Sequence, residues 1–384
     1  MKKLLAVLIT LFVIALSALL VYNFIIIPYQ KDMERTAPDP SLIDDQKKQD
    51  SQDSQANQDK IYLSKIFAIS EKEVIGATIS EDKNHVIYYQ KNTGYVKQAR
   101  LDGSGLEIVS SFAIDGLNSV AWSSDKSKVV CSKINNEGKE QYIYDYSVGK
   151  AFPLNSGLRN VVFSKNGQKI AYNYVNAVDQ TSNISVADSI GENWKLILNV
   201  RINNPMIQWV DNYKLAVYEY PSFEKDSSIL IIDTGDSHLE RILTGNHGLS
   251  ARFSPDGNNL IYSSSYSDGE NLRTAFFDRK NSKKTEIDIE MFAEKCVWSK
   301  NNKDVYCAVP ERLPSGNLPD VFYEKATKTK DYFVKINAET GEKTVVIPKI
   351  ASLNVDAREM FLSTAEDYLY FVNYVDGKLY GVDL

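Results

Sequence analysis

The chain has 384 residues, 43% hydrophobic and 24% charged, which is enough apolar content to fold and excludes disorder throughout. Its 44 Lys and Arg against 50 Asp and Glu leave a net charge of −6, so nothing global draws it to nucleic acid or to an anionic membrane surface. Three Cys and three His exclude a disulfide-framework protein and are too few for several zinc sites.

Leu4 to Ile27 carries no charged residue over 24 positions, whereas a membrane-spanning helix needs about 20. A cleaved secretory signal competes with this reading, because Lys2 and Lys3 supply a positive start and Ala15 and Ser17 a weak cleavage site. Apolar character continues ten residues past Ser17, beyond the apolar core of about 7 to 15 residues that a signal carries. Residues 1–27 are therefore read as an uncleaved anchor, and the membrane as a partner. Lys2, Lys3 and the terminal amine favour a cytoplasmic N-terminus, which puts everything after residue 27 outside the cytoplasm. Residues 28–60 are rich in Asp, Gln, Lys, Ser and Pro and cannot bury enough surface to offset their ordering entropy. They read as a flexible linker, with a solvated helix as the alternative for the Gln/Lys/Asp part.

From residue 75 one pattern recurs: an apolar strand ending in an aromatic, a polar turn, then a β-branched and aromatic strand. The clearest copies are Ala251–Ser263, Ala121–Ser132, Val162–Asn173 and Val297–Ala308. Ile79, Trp122, Phe163, Trp209, Phe253, Trp298 and Leu362 are taken as equivalent, at intervals of 43, 41, 46, 44, 45 and 64. A period of about 40–45 residues with four short strands per unit is the signature of a propeller blade. The recurring aromatic is read as the residue that packs one blade on the next. In the turn, Pro255 pre-sets φ, Asp256 bonds its own backbone and Gly257 tolerates φ above zero. Asp125, Asn166 and Asn301 occupy the same place, so these residues are turn formers and not catalytic carboxylates. The fold expected is all-β: a seven-bladed β-propeller over residues 61–384, after the single transmembrane helix and the linker. Ile61 to Phe67 is expected to supply the missing fourth strand of the last blade and so to close the ring.

These copies resemble the repeats of TolB-type propellers, a group also found as the propeller of prolyl oligopeptidases and dipeptidyl peptidases. The likeness rests on F-S-P-D-G-x-x-L-I-Y at 253–262 and on Leu101-Asp102-Gly103-Ser104-Gly105, and it is specific for fold rather than function. The chain shows neither the small α/β domain of TolB nor the hydrolase domain of the peptidases. The resemblance implies a binding scaffold for protein or cell-envelope partners. Two alternatives stay open: a glycan-binding or polysaccharide-active propeller, and the regulatory propeller of a separately encoded peptidase.

No G-x-S-x-G elbow, nucleotide-binding fingerprint or calcium loop occurs. His85, His238 and His247 fall in different repeats without nearby Cys. The chain is accordingly expected not to be an enzyme and to need no cofactor or metal. Cys296 and Cys307 flank a hairpin turn and would face each other if Trp298 lies opposite Val305, which permits a cross-strand disulfide. Against it, Cys131 alone fills the position equivalent to Cys307, so a buried free Cys also suits the repeat. The interval of 64 exceeds the others by about 20 residues, an excess falling between Pro310 and Lys330. Its Leu318, Phe322 and Tyr323, with Tyr220 and Phe223 of the fourth repeat and Tyr266 of the fifth, should gather on one face. They are read either as a partner-binding surface or as a plug of the central channel.

Overall fold

The computed structural model describes residues 2–30, 56–110, 112–135, 138–202 and 204–384, which divide into two compact units, Met1–Ile61 and Tyr62–Leu384. In the first unit helix α1 (Lys2–Val21) runs through a π-helical turn (Tyr22–Ile26) and stays helical to residue 30. Ser17 Oγ donates to the Ile14 carbonyl and Asn23 Nδ2 to that of Leu19, each at 2.9 Å, so these polar groups are satisfied within the helix. By length and composition Thr10–Gln30, with a mean hydropathy of 2.5, can cross a membrane. Most of the expected linker, residues 31–55, lies outside the described residues.

The second unit begins with β1 (Ile66–Ala68). A first sheet follows, of β2 (Val74–Ile79), β3 (His85–Gln90), β4 (Val96–Arg100) and β5 (Glu107–Ile108). The second comprises β6 (Leu117–Trp122), β7 (Lys128–Asn135), β8 (Gly138–Asp145) and β9 (Lys150–Pro153), and the third β10 (Leu158–Phe163), β11 (Lys169–Val175), β12 (Ser182–Asp188) and β13 (Lys195–Val200). Next is a seven-stranded sheet of β14 (Met206–Trp209), β15 (Lys214–Tyr218), β16 (Asp226–Asp233), β17 (Leu239–Phe253), β18 (Asn259–Ser265), β19 (Leu272–Asp278) and β20 (Lys283–Ile287). In it β17 is long enough to end one four-strand run and begin the next. Then come β21 (Cys296–Trp298), β22 (Asp304–Pro310), β23 (Asp331–Asn337) and β24 (Lys343–Ile347), and finally β25 (Ala357–Leu362), β26 (Tyr368–Asn373) and β27 (Lys378–Asp383).

The last sheet takes its fourth strand from the other end of the unit, because β1 pairs antiparallel with β27, Phe67 opposite Gly381. First strands touch in cyclic order: β2 with β6, β6 with β10, β10 with β14, β17 with β21, β21 with β25, and β25 with β2. The sheets therefore form a closed ring around a central channel. The closing strand is shorter than expected. Residues 56–64 are helical rather than extended, and nothing between Ala56 and Tyr62 breaks a helix. Tyr62 and Leu63 pack with Ile66 on the core of the last sheet, so the register with β27 starts only at Ile66.

All seven positions taken as equivalent are the last residue of a first strand, or of the segment of β17 that serves as one. Trp122 Nε1 donates to the Gly76 carbonyl (2.7 Å), Trp209 Nε1 to that of Val162 (3.1 Å) and Trp298 Nε1 to that of Arg252 (2.9 Å). Each indole thus reaches the first strand of the preceding four-strand unit. The seams are packed by the same residues: Trp298 and Val305 meet Ile261 and Phe276, and Val129 and Cys131 meet Tyr89. In the turns Ser254 Oγ donates to Asp256 Oδ1 (2.6 Å) and accepts from the Asn259 amide (3.0 Å). Ser123 and Ser164 do the same with Asp125 and Lys128 and with Asn166 and Lys169. Gly257 has φ +74°, and a Cβ there would lie 2.5 Å from the Val210 carbonyl oxygen, so the turn requires glycine.

Deleting residues 61–69 is expected to lower the melting temperature sharply and broaden the transition, as followed by circular dichroism, because it strips the closing strand from β27. A variant that melts like the full chain would contradict the closure. Trp298→Phe should cost about 1 kcal/mol in urea unfolding, the worth of one hydrogen bond.

Candidate functional site

Between β22 and β23 the chain makes an excursion, residues 311–330, that includes a helical turn, Asp320–Tyr323. It docks on the loops and first strands at one end of the ring. Asp320 accepts from Ser222 Oγ (2.8 Å) and from the Phe223 amide (2.9 Å), and the Leu318 amide donates to the Gly269 carbonyl (2.7 Å). Gly248, at φ +56°, lets Pro319 close in, since a Cβ there would sit 2.4 Å from its ring. On the other side Lys328 Nζ donates to the Val375 carbonyl at 3.1 Å. The anchor is Phe322, whose ring stacks on Phe292 at 4.0 Å between centroids, with the Arg358 guanidinium 4.1 Å over it.

Under this anchor lies a buried charge cluster. Lys295 has no exposed surface; its Nζ donates to Asp331 and Asp356 (2.6 Å each) and to Thr329 Oγ1 (2.7 Å), and meets the Ala357 carbonyl at 3.2 Å. Arg358 donates Nε and Nη2 to the two oxygens of Asp356, at 3.2 and 3.1 Å. Burial pushes Asp356 up, but Lys295 and Arg358 outweigh it and hold the carboxyl below its ordinary range. Burial dominates at Asp331, whose pKa is raised against the pull of Lys295 and whose Oδ1 has no protein partner. Removing Lys295 from this cluster leaves the Asp331 carboxylate with no compensating charge in a dry interior.

The channel beneath holds a cavity of about 460 Å³ whose lining includes Lys165, Arg252, Glu294 and Glu359. Arg252 pairs with Glu294, which raises its pKa, while its buried Nε has no protein partner. Burial, with Glu294 nearby, drives the Tyr323 phenol well above its ordinary range, and its buried hydroxyl is likewise unpaired. Glu359 sits at φ +52° where the β25–β26 register shifts, and accepts from the Tyr374 hydroxyl (2.8 Å). Holding a non-glycine residue there costs about 1–2 kcal/mol, and such bulges turn a side chain out of the strand's alternation. At the other mouth Lys165 Nζ donates to the Pro255 (2.7 Å) and Ser254 (3.2 Å) carbonyls, fastening the turn after β10 to the one after β17.

The structure brings most of the expected site residues together. Leu318 and Phe322 are buried, Tyr323 meets Tyr220 edge-on at 5.5 Å, and Phe223 packs against Gly269. Tyr266 is 44% exposed, with the Arg273 guanidinium 4.1 Å over its ring. Cys296 faces Cys307 in register and is bonded to it, while Cys131 is free and buried, its thiol pushed up to about 12 by burial. His85 pairs with Asp82 in its turn, and His247 Nδ1 lies 2.7 Å from the Phe223 carbonyl oxygen. Among the described residues no three His, Cys, Asp or Glu converge as a metal site. The sequence reading missed Lys295, Asp331, Asp356, Arg358, Arg252 and Glu294. The one signal in the sequence was charge within apolar first-strand patterns, as in Lys295 directly before Cys296-Val297-Trp298.

No protein-family description and no curated protein matches the chain. Solved structures do. An oligogalacturonate lyase in complex with manganese aligns with a TM-score of 0.60 at 13% identity, over 83% of this chain and 93% of that one, and a second such lyase, from Vibrio parahaemolyticus, covers the same shares at 10%. The β-propeller domain of Cps50 (Swd1) from Myceliophteria thermophila aligns with a TM-score of 0.55 at 9% identity, over 83% and 99%. TolB from Acinetobacter baumannii is matched with a TM-score of 0.46 at 16% identity, over 74% and 66%. The chain is a β-propeller in fold. The expectation that it is not an enzyme is overturned: two of these structures are lyases on the same architecture, so a missing sequence motif is no argument against catalysis.

Replacing Lys295 by Met should destabilise the propeller by about 3–5 kcal/mol at neutral pH in urea unfolding. In that variant Asp331 loses its only cation and titrates above its unfolded range, while Arg358 still pairs with Asp356. The deficit against the native chain should therefore shrink as the pH falls below about 5. A deficit that grows on acidification would contradict the assignment.

Proposed function

We propose that the chain is a membrane-tethered binding module. Residues 1–27 anchor it with the N-terminus in the cytoplasm, residues 28–60 tether it, and residues 61–384 form a seven-bladed propeller outside the cytoplasm. The count of seven treats the seven-stranded sheet as two blades sharing β17. Its partner is a protein or a cell-envelope component, met at the end of the ring that carries the insertion. The observation that supports this reading is that the insertion is a fixed surface: hydrogen bonds from Ser222, Phe223 and Leu318 and the Phe292–Phe322–Arg358 stack hold it in place. A surface held so loses little entropy when a partner docks on it. Leu318 and Phe322 act there as internal anchors. Tyr266, with Tyr220, Phe223 and Tyr323 at its margin, offers the aromatic contact area.

A second reading is supported by the channel. The unpaired Arg252 Nε and Lys165, in a cavity of about 460 Å³, suit an anionic sugar of the kind that the structurally similar oligogalacturonate lyases are named for. Under it the chain would act on or hold an acidic glycan.

Anchoring predicts that the full chain stays with membranes through an alkaline carbonate wash, and that protease added to intact cells or spheroplasts digests the propeller. Release by carbonate, or digestion only after lysis, would contradict it. Tyr266→Ser should leave melting unchanged and abolish co-purification of the crosslinked partner, and intact capture would count against the docking face. Appearance of unsaturated product from oligogalacturonate would favour the second reading.

A further inference from the structure

Three of the four tryptophans serve the seams, each donating its indole N–H to the preceding four-strand unit. The fourth, Trp194, takes no part in a seam and is 67% exposed. It lines a cleft of about 370 Å³ on the flank of the third sheet, a size within the range of small-molecule sites. The floor is set by the pairing of β11 with β12, which puts Tyr172 opposite Ser185 and Tyr174 opposite Asn183 on one face. Pro153, Leu154 and Asn155, at the end of β9 and just after it, make one wall; Gly191 and Trp194, in the turn before β13, make the other. Gly191 lets the walls approach, because a Cβ there would lie 2.7 Å from the Leu154 side chain.

The chemistry of this cleft is specific. No charged side chain lines it, in contrast to the central channel. Its amides are oriented: Asn183 Oδ1 accepts from Ser185 Oγ and Asn155 Oδ1 from the Gly157 amide, each at 2.8 Å. Among the described residues both Nδ2 groups are without a hydrogen-bond partner, as are the hydroxyls of Tyr172 and Tyr174 and the indole N–H of Trp194. A complementary ligand is uncharged, has a flat apolar face for the indole and carries oxygens around its perimeter, because the donors are spread over the floor and both walls. A planar base offers its few acceptors only in the plane of its rings and no C–H face, and an apolar peptide side chain offers no acceptor. A pyranose ring meets every requirement, with C–H groups on its face and hydroxyls around its rim. We propose that the Trp194 cleft is a binding site for a neutral saccharide. It shares no residue with the channel or with the insertion face, so it stands or falls apart from the proposed function.

The test uses the full chain in a polyoxyethylene detergent, which carries no sugar. It is titrated with neutral trisaccharides of β-linked N-acetylglucosamine, β-linked glucose, α-linked glucose and β-linked mannose. Trigalacturonate and adenosine serve as comparators. Binding is read by tryptophan fluorescence and by calorimetry. At least one neutral trisaccharide should saturate at millimolar concentration or below. Its affinity should fall by about tenfold or more in Trp194→Ala and in Asn183→Leu, with far-ultraviolet circular dichroism unaltered by Trp194→Ala. No saturation by any of the four, binding that survives Trp194→Ala, or equal binding of trigalacturonate or adenosine would overturn the proposal.

Discussion

The structure depends on the pairing of β1 with β27. Each sheet of a propeller packs mainly on its two neighbours, so the ring has no exposed end only if the last sheet contains strands from both ends of the unit. Three residues, Ile66 to Ala68, make that link. The Ile69 and Leu379 side chains, buried next to it, carry its apolar contacts into the first seam. Once the ring is closed, every first strand is confined between two others, and the three that end in an indole can reach the carbonyl of the strand before them. The seams and the channel are consequences of this closure.

Closure also fixes where polar groups can go. Two cations and two carboxylates are buried between the last two sheets, where their mutual pairing and the carbonyls and hydroxyls around them offset the loss of water. Such a cluster contributes little net stability compared with an apolar core. It does fix orientation: Arg358 must reach Asp356 and Phe322 together, and the insertion is held at that point. The same geometry sets the Tyr323 hydroxyl beside the Arg252–Glu294 pair, so the insertion and the channel lining form one polar–aromatic layer at that end of the ring.

Much of the fold was legible because its repeat unit is set by local chemistry. The aromatic that ends five of the first strands, the Ser–x–Asp/Asn turn and the β-branched second strand recur with a nearly constant interval, and each maps onto the same place in its sheet. The short closing strand was less legible. Whether residues 56–64 coil or extend is decided by Tyr62 and Leu63 packing on the last sheet, a contact between distant parts of the sequence. The burial of Phe322 was equally hidden, because Phe292 and Arg358, which enclose it, lie 30 residues before it and 36 after it. Charge clusters such as Lys295 with Asp331 and Asp356 follow no period, since pairing across sheets obeys no spacing along the chain. Catalysis was not legible either way: the fold is shared with lyases, and a fold of itself carries no reaction.

The central claim is that one closed ring carries the insertion as a fixed part of its surface. Hydrogen–deuterium exchange of the full chain, resolved by peptide, tests it most directly. The account predicts that peptides covering 66–68, 378–383 and 317–323 exchange slowly and on the same timescale as the buried strand β26, because each is hydrogen-bonded into the ring. Exchange of the insertion or of the closing strand at the rate of unstructured peptide, while β26 stays protected, would contradict it.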